Sequence, residues 1–302
     1  MKYFYIHPFK PQYFFPKGFK KHALFLDFFS PYSKVGRISW FLFIRFSFYR
    51  VLFSKSNIEQ FIPEGAIKRI VGEDTVMAFN TGTVGPEQKI TGLGVINNKE
   101  FFIKYGQTKI AMVNVTNEYN ILKQIDHLNI VPKVLDFYSD NNHVLLKTDV
   151  LEGKRLKDQS IDKNIIDQLI LLSNQKVNCS KTLSSNLLSC FSHGDFCPWN
   201  MMANNGDILL FDWEMAGAYT LGYDLFTYIF QTRFLLNPET PIKNILVENI
   251  KAIAYYFSHF NINDWNPYLR AFIDHKISLE QLKGDKSLLT EYLKLLEYAK
   301  EA

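Results

Sequence analysis

The sequence predicts a two-lobed α+β fold, and three observations support this expectation. The chain has 302 residues, of which 47% are hydrophobic, enough for two compact cores. Residues 72–150 contain several strand-like segments and one helical pattern. Residues 151–302 are mainly helical around one short strand-turn-strand unit. We therefore expect a small lobe with several strands followed by a large helical lobe, with residues 1–71 as an added N-terminal helical extension.

The N-terminal extension is basic and aromatic. Residues 1–56 hold ten Lys and Arg residues and only one acid, Asp27. Within this region, residues 39–53 are strongly apolar, but they are too few to span a bilayer and include Arg45 and Arg50. Two interpretations stay open: an interfacial helix on anionic lipid, or a helix packed on the small lobe. Residues 1–56 are thus a candidate for peripheral membrane contact.

The overall composition indicates a cytoplasmic protein. The net charge is only +4 and no nucleic-acid-binding motif is present, so we expect no nucleic-acid partner. The three cysteines lack metal-site spacing, and the first residues do not read as a secretion signal. We expect a reducing compartment, with the inner face of the membrane as the location if the N-terminal extension binds lipid.

Three strands and one tight turn open the small lobe. Strands are predicted at Thr75–Asn80, Ile90–Ile96 and Glu100–Tyr105, and the pair Asn97-Asn98 is predicted to turn the chain between the second and third. Further strands are predicted at residues 133–138 and 143–148. This pattern favours an antiparallel sheet.

One helix is predicted between these strands, at Thr116–Leu128. Its apolar stripe includes Ile121 and Leu122, and Glu118 lies one turn earlier on the same stripe. A carboxylate at the edge of a buried face needs a cationic partner, and Lys104 in the third strand is the natural candidate. Alternatively, Lys104 is an exposed strand lysine and Glu118 a solvated helix residue.

The strongest signal for chemistry is the segment Ser192–Asn200 and the hairpin that follows it. Asn200 precedes one predicted strand, and Asp212 follows its return strand at residues 208–211. The hairpin should therefore bring an amide oxygen and a carboxylate side by side, which are hard ligands suited to Mg²⁺. Asp195 lies in the loop leading in, where it could accept a proton from an attacking hydroxyl.

The spacing Asp-x-x-x-x-Asn followed by a metal-binding Asp resembles the arrangement in protein kinases. Residues 193–195 read His-Gly-Asp in place of His-Arg-Asp, and residues 212–214 read Asp-Trp-Glu in place of Asp-Phe-Gly. This combination resembles the aminoglycoside phosphotransferase and choline kinase family, which phosphorylates hydroxyls of small molecules. The resemblance implies a two-lobed protein-kinase-like fold from about residue 72 to the C-terminus.

The resemblance also implies a role for each matching residue. Asp195 is implied as the catalytic base, and Asn200 and Asp212 as the ligands of Mg²⁺. Lys104 is implied to contact the phosphates of ATP while it pairs with Glu118.

Other matching residues are implied to support the loop or the nucleotide. His193 and Asp224 would organise the catalytic loop structurally. Residues 147–153, which include Asp149, would form the hinge whose backbone meets adenine.

The turn Thr81–Pro86 is implied to lie over the nucleotide. It contains Gly82 and Gly85 after Thr81, but not a complete Gly-x-Gly-x-x-Gly pattern, so an ordinary hairpin loop is the alternative interpretation.

The expected function is ATP-dependent transfer of the γ-phosphoryl group to a hydroxyl of a small molecule. A sugar or a surface-polysaccharide precursor is the first hypothesis for the acceptor, because residues 179–186 are not acidic. Choline, another amino alcohol or an aminoglycoside is the alternative acceptor. A nucleotide-binding pseudokinase scaffold is the alternative of another class.

Overall fold

The computed structural model divides the chain into two compact units, Met1–Leu151 and Glu152–Ala302, called here the N-terminal and C-terminal units. The structure describes residues 2–6, 11–21, 24–25, 29, 36, 38–42, 54–55, 57–156, 160–182, 186–284 and 286–301. The predicted boundaries of a separate extension (1–71), a small lobe (72–150) and a large lobe (151–302) stay predictions.

The N-terminal unit is built on one antiparallel sheet of eight described strands, in the order β3-β1-β2-β4-β5-β6-β8-β7. The strands are β1 (Tyr3–Ile6), β2 (Tyr13–Pro16), β3 (Ser54–Lys55), β4 (Val76–Asn80), β5 (Lys89–Ile96), β6 (Lys99–Gly106), β7 (Val134–Ser139) and β8 (Val144–Thr148). The five strands predicted from the sequence, β4 to β8, are confirmed to within two residues at each end.

The predicted tight turn between β5 and β6 is also confirmed. Asn97 and Asn98 have φ angles of 51° and 61°, so both central residues of the turn are left-handed. This conformation matches the twist of a two-residue hairpin, and asparagine tolerates it better than most residues.

We expected the N-terminal segment to be helical, but two stretches of it form strands β1 and β2 instead. Tyr3 and Phe14 pack into one core cluster of the sheet, whereas Phe15 packs into a second one. Because aromatic residues cover both faces of these strands, the alternation of apolar and polar residues that reveals a half-buried strand is missing.

The predicted helix at residues 39–53 is described only in part. Residues 38–42 are helical, and residues 43–53 lie outside the described residues. The Trp40 ring lies 5.6 Å from the Tyr13 ring, between centroids, whereas Ile38 and Phe41 are exposed. Among the described residues, no helix has both the length and the apolar character needed to cross a membrane.

The described part of the N-terminal unit also contains two longer helices, α1 (Glu64–Val71) and α2 (Lys109–Ile125). Helix α2 begins seven residues before the predicted start, because the Thr108 hydroxyl oxygen accepts a hydrogen bond of 3.1 Å from the backbone N–H of Ala111 and caps the helix. A short 3₁₀ turn at Asp126–Leu128 ends it.

The described residues of the C-terminal unit are mainly helical, with two small sheets. Its strands are β9 (Lys154–Arg155), β10 (Ser189–Ser192), β11 (Met201–Asn204), β12 (Asp207–Leu210) and β13 (Gly217–Thr220). Its helices are α3 (Lys163–Ser173), α4 (Tyr223–Phe226), α5 (Thr232–Leu236), α6 (Ile242–His259), α7 (Asn266–Lys283) and α8 (Lys286–Glu301), with a π-helical turn at Thr227–Gln231 between α4 and α5.

The hairpin β11–β12 is the predicted strand-turn-strand unit. Its turn residues, Asn205 and Gly206, have φ angles of 50° and 96°. Met201 pairs with Leu210 at the open end of the hairpin, so residues just outside both strands are brought together. Strand β10 pairs with β13, and the loop at residues 193–200 follows directly after it.

Candidate active site

The loop after β10 is anchored by a buried carboxylate. Asp224 accepts hydrogen bonds from the backbone N–H groups of His193, at 2.6 Å, and Gly194, at 2.9 Å. Only 5% of Asp224 is exposed, and this burial raises the pKa of its carboxyl despite the two hydrogen bonds, which favour the charged form. Asp224 therefore fixes the backbone that leads to Asp195.

Gly194 makes the close packing of this loop possible. Its φ angle is 85°, and a Cβ atom built on it would lie 2.2 Å from the carbonyl oxygen of Met215. Both the left-handed conformation and the lack of space exclude a side chain here. The local backbone thus requires glycine at position 194, where the His-Arg-Asp triplet has arginine.

The fully buried His193 ring connects the loop to the end of β12. Its Nε2 atom lies 3.0 Å from the carbonyl oxygen of Phe211, and its Nδ1 atom lies 3.4 Å from the backbone nitrogen of Asp195. A carbonyl can only accept and an amide N–H can only donate, so Nε2 carries the proton and Nδ1 accepts. The ring thereby ties the loop to the end of β12.

The carboxylate of Asp195 is surrounded by donors on both oxygens. Oδ2 accepts from Asn200 Nδ2 at 2.8 Å and from the Trp199 indole Nε1 at 3.3 Å. Oδ1 accepts from Gln231 Nε2 at 2.8 Å and from the Cys197 thiol at 3.6 Å. These contacts hold the carboxylate in a single orientation, as a group that accepts a proton in a defined direction requires.

Asn200 and Asp212 lie at the open end of the hairpin, as the sequence predicts. The backbone N–H of Phe211 donates to the Asn200 carbonyl at 3.1 Å, which continues the pairing of β11 and β12 by one step. Asp212 then takes a left-handed conformation with φ of 68° and starts the 3₁₀ turn Trp213–Met215. A left-handed aspartate is uncommon, and such backbone strain is concentrated at functional sites.

The chemistry of these two side chains fits a hard divalent cation. Asn200 donates through Nδ2 to both the carbonyl and the carboxylate of Asp195, so its amide oxygen points away from that residue. An amide oxygen and the carboxylate of Asp212 are the ligand types that Mg²⁺ and Ca²⁺ take.

The predicted ion pair is present in the N-terminal unit. Lys104 in β6 donates from Nζ to both carboxylate oxygens of Glu118 in α2, at 2.6 Å and 2.8 Å. Lys104 is 8% exposed and Glu118 is 2% exposed. The alternatives of an exposed lysine and a solvated glutamate are therefore wrong.

The turn Thr81–Pro86 closes back on the start of β5. Gly82 has a φ of 70°, and a Cβ atom there would lie 2.5 Å from the Lys89 carbonyl oxygen. Its N–H donates to the Asn80 side chain at 2.7 Å, and the Gln88 side chain donates to the Thr81 carbonyl at 2.9 Å. A Cβ on Gly85 would meet no atom within 4 Å. The turn is well defined, and its role at a nucleotide stays a prediction.

Asp149 directs its carboxylate toward the start of β7. Oδ1 accepts from the Lys133 backbone N–H at 2.7 Å, and the Asp149 N–H donates to the Lys133 carbonyl at 3.0 Å. Burial raises the pKa of this carboxyl. The side chain thus braces the segment after β8, and a nucleotide contact here would be made by the backbone.

Gln231 and Lys276 approach Asp195 although the sequence analysis did not select them. Gln231 lies in the π-helical turn, and Lys276 lies on the buried stripe of α7 with Phe272 and Glu280. A charged residue on an apolar helical stripe is the signal that identified Glu118, and it was available for Lys276 as well. No local spacing marks Gln231.

Comparison with known proteins finds a family model that matches part of the C-terminal unit. Residues 178–241 match the family model described as "Phosphotransferase enzyme family". This stretch contains Asp195, Asn200, Asp212, Asp224 and Gln231. Among curated proteins, serine/threonine-protein kinase 36 of Pongo abelii is 29% identical over 142 residues, which are 46% of this chain and 10% of that protein.

Solved structures share the fold. The amicoumacin kinase hAmiN, in complex with AMP-PNP, Ca²⁺ and Ami, matches with a TM-score of 0.53 and 11% identity, over 79% of this chain and 92% of that chain. Aminoglycoside phosphotransferase APH(4)-Ia matches with a TM-score of 0.51 and 11% identity, over 80% and 98% of the two chains. These solved structures confirm the predicted protein-kinase-like fold, and the matching family model confirms the predicted resemblance to a phosphotransferase family.

Proposed function

We propose that this chain, which resembles the aminoglycoside phosphotransferase family in its fold and its catalytic segment, transfers the γ-phosphoryl group of ATP to a hydroxyl of a small molecule. The observation that supports this most directly is the geometry of the loop and hairpin in the C-terminal unit. There, four donors hold the carboxylate of Asp195, and one of them is the side-chain amide of Asn200, which this contact orients in turn. The buried Lys104–Glu118 pair of the N-terminal unit supports the same function.

Asp195 is the proposed base. Its carboxylate would accept the proton of the acceptor hydroxyl as the oxygen of that hydroxyl bonds to the γ-phosphorus and the bond from phosphorus to the β–γ bridging oxygen breaks. Because both carboxylate oxygens are held by donors, Asp195 needs no reorientation to do so. His193 and Asp224 act on the same step only through the backbone that carries Asp195.

Asn200 and Asp212 are the proposed ligands of the divalent cation, and Mg²⁺ is the proposed ion. When bound, such an ion neutralises phosphate charge that would otherwise repel the attacking oxygen. The left-handed backbone of Asp212 and the hydrogen bond from Asn200 to Asp195 support this assignment.

ATP binding is proposed to use the N-terminal unit. Lys104 would contact the phosphates, with Glu118 fixing the direction of its ammonium group. The turn Thr81–Pro86 would cover the nucleotide, and the backbone of residues 147–153 would meet adenine. Asp149 would support that segment through its hydrogen bond to Lys133.

The acceptor that we favour is a sugar or a surface-polysaccharide precursor. Residues 179–186 carry Lys181 and no acid, which does not suit a strongly cationic antibiotic. Amino alcohols such as choline, and aminoglycosides, are the competing acceptors, and a pseudokinase scaffold is the competing class.

A panel experiment tests these assignments. Thermal unfolding with and without Mg·ATP measures nucleotide binding, and ADP release is then followed with sugars, amino alcohols and aminoglycosides as acceptors. Turnover with a sugar supports the favoured acceptor, whereas turnover only with an amino alcohol or an aminoglycoside assigns the acceptor to that class. Binding of ATP without turnover on any acceptor would favour the scaffold.

Contact with an anionic membrane surface is a separate proposal for the N-terminal region, at the cytoplasmic face. It is supported by exposed apolar residues in the helical stretch 38–42, where Ile38 and Phe41 are 63% and 64% exposed. Cosedimentation with anionic vesicles measures this contact, and Phe41→Asp should weaken it. Equal recovery of both proteins with the vesicles would contradict it.

A further inference from the structure

A buried lysine is connected to the proposed base through one amide side chain. Lys276 Nζ donates to Gln231 Oε1 at 2.8 Å, and Gln231 Nε2 donates to Asp195 Oδ1 at 2.8 Å. Asp195 lies in the loop, Gln231 lies 36 positions later in the π-helical turn, and Lys276 lies a further 45 positions on, in α7. They form a continuous path of two hydrogen bonds inside the C-terminal unit.

Lys276 is placed in an environment that is unfavourable for a charge. Only 4% of the residue is exposed, and its ammonium lies 4.9 Å and 5.6 Å from the ring centroids of Tyr223 and Phe272. Buried charges persist in proteins only where specific partners compensate for the lost hydration. The two aromatic rings contribute part of that compensation, and the carbonyl oxygen of Gln231 contributes a direct hydrogen bond.

The ammonium group determines which way the Gln231 amide points. An ammonium can only donate, so it selects the oxygen Oε1, and the Tyr292 hydroxyl, 3.5 Å away, donates to the same oxygen. The nitrogen Nε2 must then face Asp195, whose carboxylate can only accept. Without the lysine, a flipped amide would present its oxygen to Asp195 and repel it.

The backbone around Gln231 serves this placement. The wider π-helical turn, Thr227–Gln231, interrupts the α-helical pattern between α4 and α5 and ends at this residue. Such turns occur often at functional sites, because the extra residue redirects a side chain. The side chain at its end reaches Asp195, in a different part of the unit.

We propose that Lys276 is a positioning residue for phosphoryl transfer, because it fixes the Gln231 amide that in turn holds Oδ1 of Asp195. Asn200 and Trp199 hold the other oxygen, so the Gln231 contact sets the rotation of the carboxylate about its axis. The inference rests on the proposed function and adds to it a residue outside the segment that matches the phosphotransferase family.

Gln231→Glu separates this role from a structural one. The new carboxylate still accepts from Lys276, but it presents to Asp195 an oxygen that repels it in place of an N–H group that donates to it. A merely structural role of Gln231, as the partner of Lys276, predicts an unchanged kcat. The positioning role predicts that kcat falls about 100-fold while the KM for ATP stays within twofold and the unfolding temperature stays near that of the wild type.

Variants of Lys276 provide the second measurement, which does not depend on the folding of the first variant. Lys276→Met removes the donor and should lower kcat by about 10- to 100-fold, whereas Lys276→Arg keeps a cationic donor and should retain more of it. Leu282→Met, at an 86% exposed position on the same helix, is the control that should leave kcat unchanged.

Two different results distinguish a failure of the positioning role from a failure of the proposed function. ADP release by the wild type, measured with Mg·ATP and the acceptor panel, must be present, and its absence overturns the proposed function and this inference together. Wild-type turnover combined with an unchanged kcat in folded Gln231→Glu or Lys276→Met overturns the positioning role alone. A loss confined to the KM for ATP would also overturn it.

Discussion

The amide nitrogen of Asn200 lies 2.8 Å from the carboxylate oxygen Oδ2 of Asp195, so the proposed metal ligand and the proposed base share one hydrogen bond. This contact orients both side chains at once. It directs Asn200 Nδ2 to Asp195 and thereby leaves the amide oxygen as the atom for a cation.

Asn200→Asp should therefore inactivate the protein although it adds a charge that a cation would favour. The new carboxylate would face the Asp195 carboxylate without a proton between them, and like charges in contact repel. We expect kcat to fall about 100-fold or more while the protein still binds Mg·ATP. The measurement is ADP release, together with the thermal shift caused by Mg·ATP. Retention of more than half of the wild-type kcat would contradict the assigned geometry.

Asp195→Ala should abolish transfer and leave nucleotide binding largely intact. The variant removes the proton acceptor, whereas Lys104 and the proposed metal ligands remain. Loss of a general base typically costs about 10²- to 10⁴-fold in rate. Steady-state turnover and the Mg·ATP thermal shift are measured on the same preparation, with Asp207→Ala in the β11–β12 turn region as the control. Persistent transfer in Asp195→Ala would show that the mechanism is wrong.

The Lys104–Glu118 pair should be coupled in stability. Lys104→Met leaves a carboxylate that is 2% exposed without its lysine partner, and loss of one partner from a buried pair costs about 3–5 kcal/mol. The double variant Lys104→Met with Glu118→Leu removes both charges and should recover part of that loss. Denaturant unfolding of the wild type, both single variants and the double variant measures the coupling.

Turnover of the same variants tests the role of the pair at the nucleotide. We expect the KM for ATP to rise when Lys104 is replaced, in the single and in the double variant alike. Additive effects on stability would mean that the pair is not coupled, and an unchanged KM for ATP would remove Lys104 from nucleotide binding.

Gly194→Ala should damage the site, whereas Gly206→Ala should not. Both glycines have positive φ angles, 85° and 96°, so each alanine carries a backbone strain of about 1–2 kcal/mol. Only at Gly194 would the new Cβ also meet an atom, the Met215 carbonyl oxygen at 2.2 Å. We expect kcat to fall at least tenfold for Gly194→Ala and to be unchanged for Gly206→Ala. Similar activities of the two variants would show that the close approach at Gly194 has no role.

His275 should make the protein less stable in weak acid. Burial, with a smaller contribution from the Lys276 charge, lowers the pKa of His275 from 6.5 to about 4. Between these values the unfolded chain binds a proton that the folded protein does not. The contribution of His275 to the free energy of unfolding is therefore complete above pH 6.5, and it is lost as the pH decreases to about 4.

The change is on the order of 1 kcal/mol, since solvent screens a half-buried ring. Urea unfolding at several pH values measures it, and His275→Gln should flatten the profile in this window. An equally steep profile in the variant would assign the pH dependence to other groups.

Sequence reasoning located the parts of the site that are close along the chain. Asp195, Asn200 and Asp212 are joined by one loop and one hairpin, so their spacing already fixes their proximity. Lys104 and Glu118 were found because a carboxylate on an apolar stripe needs a cation, and the two residues are only 14 positions apart. Local spacing was sufficient in the first case, and helical periodicity in the second.

The missed parts depend on tertiary contacts. Gln231 reaches Asp195 from 36 residues away, through a π-helical turn that no composition signal marks. Strands β1 and β2 were not predicted, because aromatic residues cover both of their faces. The alternation of apolar and polar residues that marks a half-buried strand is therefore missing. Packing against the rest of the sheet, rather than local preference, determines these elements.

The strand order of the eight-stranded sheet has a consequence for synthesis on the ribosome. Among the described strands that follow β1, each except β7 pairs with a neighbour that the ribosome has already released, and β7 must wait for the next strand, β8. All eight described strands of the sheet lie within the first 148 residues, so they can assemble before the loop at residues 193–200 has left the ribosome. A nascent chain halted once residue 151 has left the ribosome should therefore already have its first unit protected from proteases.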